Sequence, residues 1–283
     1  MLRNSSHNPI LKLSSLLFLI VSLTNHNCYR VQAHIFIYAV CSVEKYQTSS
    51  LFETNLNSLL SSITSSSSQS SYNSFAIGNE ASTPSDAAAY GVYQCRGDLK
   101  TSECSRCVQN AVGQIGLVCS YTYAASLQLE GCLIRYENRD FLGKLDTSIV
   151  YKKCSRGTSY DVEFFRRRDD VLSDLQTATS FRVSSLGLVE GFAQCLGDLS
   201  VGDCSSCLSE AVGKLKNVCG SASAADVYLA QCYARYWASG YFDSDSDSPD
   251  VDKVGKTIAI IVGVLAGVAL IIVLLSVLRK VAG

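Results

Sequence analysis

GVYQCRGDLKTSECSRCVQNAVGQIGLVC, residues 91–119, is answered one hundred positions later by GFAQCLGDLSVGDCSSCLSEAVGKLKNVC, residues 191–219. Cys95, Cys104, Cys107, Cys119 and Cys132 recur as Cys195, Cys204, Cys207, Cys219 and Cys232, so the chain is a tandem duplication. Each copy has a sixth cysteine upstream. Cys41 precedes a helical stretch at 49–63, and Cys154 precedes one at 162–175. The gap from Cys41 to Cys95 is longer than that from Cys154 to Cys195, and the Ser-rich run 61–71 reads as the surface loop that fills it. Such an insertion costs little, because closure entropy grows slowly with loop length.

Within the repeat, Cys104, Cys107, Val108, Ala111, Val112 and Ile115 follow helical spacing, which predicts a helix over 101–118 with Thr101 or Ser102 as its cap. The segments 88–95 and 126–137 read as strands, with Leu127, Leu129 and Ile134 among polar or aromatic neighbours. The second copy repeats this order. The expected fold class is α+β: two tandem disulfide-bonded modules, each an antiparallel sheet with two helices packed on one face, followed by a single transmembrane helix.

The flanks set the topology. Arg3 and Lys12, an apolar stretch near 16–23, and Val31-Gln32-Ala33 make residues 1–33 a signal peptide, too short to span a bilayer. Residues 257–278 carry no charge and, at about 1.5 Å per residue, would span about 33 Å as a helix. Lys253 and Lys256 before it balance Arg279 and Lys280 after it, so the positive-inside count is a tie and the signal peptide sets the orientation. A type I protein results. Its first module is 34–142, its second 147–242, its acidic juxtamembrane stalk 243–256 and its cytosolic tail 279–283. Five residues cannot bury a catalytic core.

Cysteine usage agrees with that compartment. Of thirteen cysteines, Cys28 falls in the signal peptide, leaving twelve where disulfides persist. Cys104-x2-Cys107 and Cys204-x2-Cys207 therefore read as structural bridges rather than zinc or redox sites, and no metal is expected. Six cysteines per module allow several connectivities, and spacing does not choose among them.

Little else in the chain suggests chemistry. Of three histidines, His7 and His26 lie in the signal peptide and His34 at the mature N-terminus, so triads lack an imidazole and an enzyme is not expected. Gly97, Gly113, Gly197 and Gly213 lack the neighbours of a phosphate loop, and no cofactor is expected. Asp98 and Glu103 read as ordinary helix-start acids. A formal charge of −1 argues against nucleic acid. Arg135 and Arg235 stand in matching places and could hold an anion, but a carboxylate within the same module is the simpler partner. Tyr233, Tyr236 and Trp237 could form an aromatic contact face or enter the core. Gly263 and Gly267 form a GxxxG in the apolar run that would let two helices pack closely. No Asn-x-Ser/Thr site follows the signal peptide.

The pattern C-x8-C-x2-C at 95–107 and 195–207, with further cysteines twelve and then thirteen positions on, resembles the ginkbilobin-like cysteine-rich domain of land plants. That resemblance implies three bridges per module: Cys41–Cys119, Cys95–Cys104 and Cys107–Cys132, then Cys154–Cys219, Cys195–Cys204 and Cys207–Cys232. In the single-domain seed lectin of that family, three side chains hold mannose. Here their positions carry Ser42, Ser126 and Glu137 in the first module and Ser155, Asp226 and Trp237 in the second. Only Glu137 matches, which makes it the one candidate ligand-binding residue and weakens the case for mannose.

Two such domains, one membrane helix and a short tail are similar to the plasmodesmata-located receptor-like proteins; the related cysteine-rich receptor kinases continue into a kinase. The resemblance implies a non-enzymatic protein of the plasma membrane at plasmodesmata, with its ectodomain in the apoplast, that regulates cell-to-cell trafficking. Implied partners are the membrane, family members in homo- or hetero-oligomers, viral movement proteins, callose-synthesis machinery and receptor kinases. The alternatives are a membrane-tethered defence protein that binds cell-wall carbohydrate, and a kinase-less decoy of a cysteine-rich receptor kinase.

Overall fold

A computed structural model describes residues 32–81, 84, 86–159 and 161–238. Residues 1–31 with Cys28, the stalk 243–256, the apolar run 257–278 with Gly263 and Gly267, and the tail 279–283 lie outside the described residues. Among the described residues no helix is long and apolar enough to cross a membrane.

The first module runs β1 (Phe36–Cys41), α1 (Leu51–Ser66), β2 (Tyr72–Ile77), β3 (Ala89–Cys95), α2 (Thr101–Val118), β4 (Ala125–Leu129) and β5 (Cys132–Glu137). The second repeats it as β6 (Ile149–Cys154), α3 (Val162–Leu175), β7 (Phe181–Leu186), β8 (Val189–Cys195), α4 (Val201–Cys219), β9 (Ala224–Leu229) and β10 (Cys232–Ala238). Each copy is a five-stranded sheet, ordered β1-β4-β5-β3-β2 and β6-β9-β10-β8-β7. In the first, α1 packs on β2 and β3 and α2 on β4 and β5.

The helix stripes explain this packing. Phe52, Leu56, Leu59 and Ile63 recur on one face of α1, and Cys104, Cys107, Val108, Ala111 and Ile115 on one face of α2. Both stripes meet Ala89, Tyr93, Leu127 and Ile134 from the sheet in one core. The disulfides pin that core at its edges. Cys95–Cys104 ties β3 to the start of α2, Cys107–Cys132 ties α2 to β5, and Cys41–Cys119 ties the outer strand β1 to the end of α2. The second module carries the same three, as Cys195–Cys204, Cys207–Cys232 and Cys154–Cys219. Each bridge contributes about 2–4 kcal/mol by restricting the unfolded chain.

Several local expectations are corrected. The run 61–71 is not a loop insertion: α1 continues to Ser66, because Ile63 extends the buried stripe of Leu56 and Leu59, while the serines lie on the outer face and bond back one turn, as Ser62 Oγ does to Ser58 O at 2.9 Å. Most of the extra length lies instead in the β2–β3 connection, residues 78–88, where the second module has only the turn Gly187-Leu188. The segment 126–137 is a hairpin of two strands, broken at Glu130-Gly131. The cap of α2 is Lys100, not Thr101 or Ser102; its N–H donates to Glu103 Oε2 at 3.1 Å, which completes half of a capping box without a side-chain acceptor at the cap. At the matching position of α4, Ser200 accepts from Asp203 N at 3.1 Å. Gln32–His34 form a 3₁₀ turn against α2, and Ala33 O accepts from Gly131 N at 3.0 Å.

Candidate binding cleft at the module seam

The two modules meet across an approximate dyad. Tyr38 on β1 and its counterpart Tyr151 on β6 stack with ring centroids 5.4 Å apart. Gly97 lies against Phe181, and reciprocally Gly197 lies so close to Tyr72 that an added Cβ would come within 2.7 Å of its ring. Gln194 Nε2 donates to Cys95 O at 3.0 Å, while Gly197 N donates to Gln94 Oε1 at 3.0 Å. Reciprocal contacts of equivalent residues are the mark of an isologous interface, here built within one chain.

The matched arginines sit on this seam. Arg135 Nε donates to Glu137 Oε1 at 2.8 Å, its Nη2 reaches the same oxygen, and its Nη1 donates to Ala230 O of the second module at 3.2 Å. The guanidinium also lies over the Phe141 ring, 4.2 Å from its centroid. Arg235 donates through Nε to Asp226 Oδ1 at 2.8 Å and through Nη1 to both oxygens of Glu130 in the first module, at 2.7 and 2.8 Å. Arg96 adds a bond to Glu130 Oε1 at 3.1 Å and pairs with Asp98 at 2.7 Å. The expectation of a carboxylate within the same module is met for Arg135 but is incomplete for Arg235, whose second partner comes from the other module. Burial pushes the Asp226 carboxyl above its ordinary range, although Arg235 beside it pulls the other way. Burial likewise raises the Tyr38 phenol.

Glu130 carries no flag in the sequence except that the repeat has Ala230 at its position. That difference is the signal that could have found it: a charged residue present in one copy only, at the edge of a buried turn.

The residues expected from the lectin resemblance are brought together in the first module. Ser42 follows β1, Ser126 is on β4 directly across from Arg135, and Glu137 ends β5. They line a cleft of about 230 Å³ whose far wall is Asp146 and Ser148 of the connecting segment and Ala230 of the second module. Much of its polarity is already committed. Ser42 Oγ donates to Glu44 O at 3.0 Å and accepts from Ala124 N at 3.1 Å, and Glu137 Oε1 is held by Arg135. In the second module the corresponding ground is filled, because Asp226 is locked to Arg235.

The aromatic triplet divides by strand alternation. Tyr236 is buried, with its hydroxyl donating to Ala222 O at 2.9 Å, whereas Tyr233 and Trp237 share the other face of β10 and contact the Phe192 ring at 5.9 and 5.6 Å. His34 Nδ1 lies 3.1 Å from Asn110 Nδ2.

The family described as "Salt stress response/antifungal" matches twice, over residues 25–139 and 153–239. Plasmodesmata-located protein 8 of Arabidopsis thaliana is 58% identical over 271 residues, covering 95% of this chain and 97% of the relative. The chain belongs to the plasmodesmata-located protein family. Solved ectodomains of two such proteins agree with the fold. The tandem DUF26 ectodomain of the Arabidopsis thaliana cysteine-rich receptor-like protein PDLP8 superposes with a TM-score of 0.70 at 61% identity, covering 73% of this chain and 100% of that one. The ectodomain of PDLP5 gives 0.68 at 46% identity, covering 72% and 100%. Like these plasmodesmata-located proteins, the chain is thus a tandem DUF26 protein with two disulfide-bonded modules.

Proposed function

We propose that this chain is a non-catalytic, single-pass type I receptor-like protein of the plasma membrane at plasmodesmata, which regulates cell-to-cell trafficking. The observation that carries the reading is the 58% identity to a plasmodesmata-located protein across 95% of the chain, a span too long to be confined to the paired modules. In this reading a signal peptide is removed near residue 33 and the two modules, 34–142 and 147–242, stand in the apoplast with all six bridges formed. The stalk 243–256 and helix 257–278 anchor them, with 279–283 in the cytosol. Gly263 and Gly267 give that helix a close-packing face for family members. Callose-synthesis machinery, viral movement proteins and receptor kinases are the partners the reading extends to.

A fluorescent fusion expressed in leaf tissue tests it. Puncta at cell junctions are expected, together with altered spread of a mobile reporter on overexpression. Uniform surface fluorescence would end the plasmodesmal assignment.

One observation favours a second activity, capture of a neutral cell-wall sugar, in the first module. The cleft holding Ser42, Ser126 and Glu137 is large enough for one sugar ring and carries three serines, and with Arg135 and Glu137 paired its remaining charge is the Asp146 carboxylate, an acceptor for sugar hydroxyls. Calorimetry of the ectodomain against a glycan panel decides this, with Glu137→Gln as the control.

A further inference from the structure

The structure assigns a lipid-contacting surface to one end of the second module, a role that rests on the membrane-anchored reading above. The tip of the β7–β8 hairpin is the turn Gly187-Leu188, closed by the pair Leu186 and Val189. Leu188 is 64% exposed, Val183 is 60% exposed and Leu186 is 40% exposed. With Gly first, a two-residue turn puts no demand on its second residue, so an exposed leucine there is set by the surface and not by the backbone. Gly187, at φ +61°, makes the bend possible, and Arg167 lies directly beneath it.

Where the chain leaves the fold says what that surface meets. The start of β8 lies beside the end of β10, since Gly191 packs against Tyr236 closely enough that an added Cβ would be 3.4 Å from its Cα. Trp237, partly exposed and seated on Phe192 at 5.6 Å, therefore stands at the same end of the sheet as the leucine tip. From Trp237 only residues 238–256 separate the fold from the apolar run at 257.

The first module acts as an internal control, since it has the same strands but no anchor following it. At the positions of Val183 and Trp237 it carries Ser74 and Glu137, and its β2–β3 connection is a longer segment containing Asn79, Glu80 and Asp86. The first module has Ile77 and Tyr90 at the positions of Leu186 and Glu190, but the exposed leucine at the turn and the tryptophan beside it belong only to the copy that leads toward the apolar run. Tryptophan and leucine beside it are what an interfacial surface uses.

Local charge identifies the lipid. Arg166 and Arg167 pair with Glu163, Arg166 also with Asp170, and Arg182 with Asp174, so the basic side chains near the tip are matched by acids. Five aspartates follow in 243–252, which further disfavours an anionic surface. The occupant is a zwitterionic bilayer face, reached by apolar insertion and not by charge.

Trp237 is the only tryptophan in the chain, so it reports directly on this contact. The experiment places the full chain in phosphatidylcholine nanodiscs with lipids brominated high on the acyl chain. Emission should fall by about half relative to unbrominated discs, as for a ring at headgroup depth. The double variant Leu186→Ser/Leu188→Ser should regain most of that emission, and raised salt should leave the quenching unchanged. A chain that co-purifies with the discs but shows no quenching overturns the lipid surface and leaves the anchor standing. Equal quenching in the variant also overturns it. A chain that fails to associate with the discs overturns the anchored reading and this inference with it.

Discussion

Replacing Glu130 by Gln should loosen the seam more than any other isosteric change. Its carboxylate receives Arg235 Nη1 at 2.7 and 2.8 Å and Arg96 Nη1 at 3.1 Å, and the Arg235 side chain is only 6% exposed. Breaking a buried ion pair from one side costs about 3–5 kcal/mol, because the remaining charge is stranded. Here Arg235 keeps Asp226 and Arg96 keeps Asp98, so neither cation is wholly stranded. A loss of about 2–3 kcal/mol follows, once that figure is reduced for the retained partners. For a unit of this size that is a fall in Tm of about 5–10 °C. Trp237 fluorescence during urea unfolding of the oxidised ectodomain reads the change, since its ring contacts Phe192, over which Arg235 lies at 5.1 Å. A double-mutant cycle with Arg235→Gln should show coupling above about 1 kcal/mol, while a cycle with the remote Arg166→Gln should be additive. If Glu130→Gln shifts the midpoint no more than Arg166→Gln does, the seam is not held electrostatically and the reasoning fails.

Two further outcomes follow from exposure and charge. Cys41 and Cys154 are exposed, whereas Cys95, Cys104, Cys107 and Cys132 and their repeats are buried, so limiting reductant should open Cys41–Cys119 and Cys154–Cys219 first. Timed alkylation and mass mapping check this, and simultaneous opening of all six would contradict it. In acid, Arg166 and Arg167 hold the Glu163 carboxyl down at about 2, and Arg182 holds Asp174 below its usual range. Depressed acids stabilise the fold above their unfolded pKa, and that contribution disappears as pH falls from about 4.5 towards 2. Asp226 has the opposite sign, because protonation relieves its burial. Urea midpoints should therefore drop over this window at low salt, less so at high salt because the pairs on α3 are exposed. Glu163→Gln should flatten the slope, and an unchanged slope would count against the assignment.

The duplication, the helices and the strand segments were legible because each rests on local spacing, whereas the turn Glu130-Gly131 that folds 126–137 into a hairpin was not. Cys104, Cys107, Ala111 and Ile115 declare a helix face whatever surrounds them. Serine misled the reading of 61–71, since its composition suggests a loop while Leu59 and Ile63 continue the stripe that carries α1 to Ser66. Capping misled it at Lys100, where the backbone took the acceptor from Glu103 and needed no side chain of its own. The seam was not legible at all. Glu130 and Arg235 stand 105 positions apart, and their meeting depends on how two finished modules dock. Ser42, Ser126 and Glu137 could be named only through family resemblance, yet the hairpin and the edge strand do bring them to one cleft.

The dyad between the halves is broken at its chemically strongest point. Arg135 finds a main-chain oxygen at Ala230 where Arg235 finds a carboxylate at Glu130, so the two copies are no longer exchangeable. Doubling the second copy would leave each Arg235 facing an alanine across the join in place of the Glu130 carboxylate. Divergence at one site has turned an ancestral repetition into a polarity, with a leading half that supplies the acid and a trailing half that depends on it.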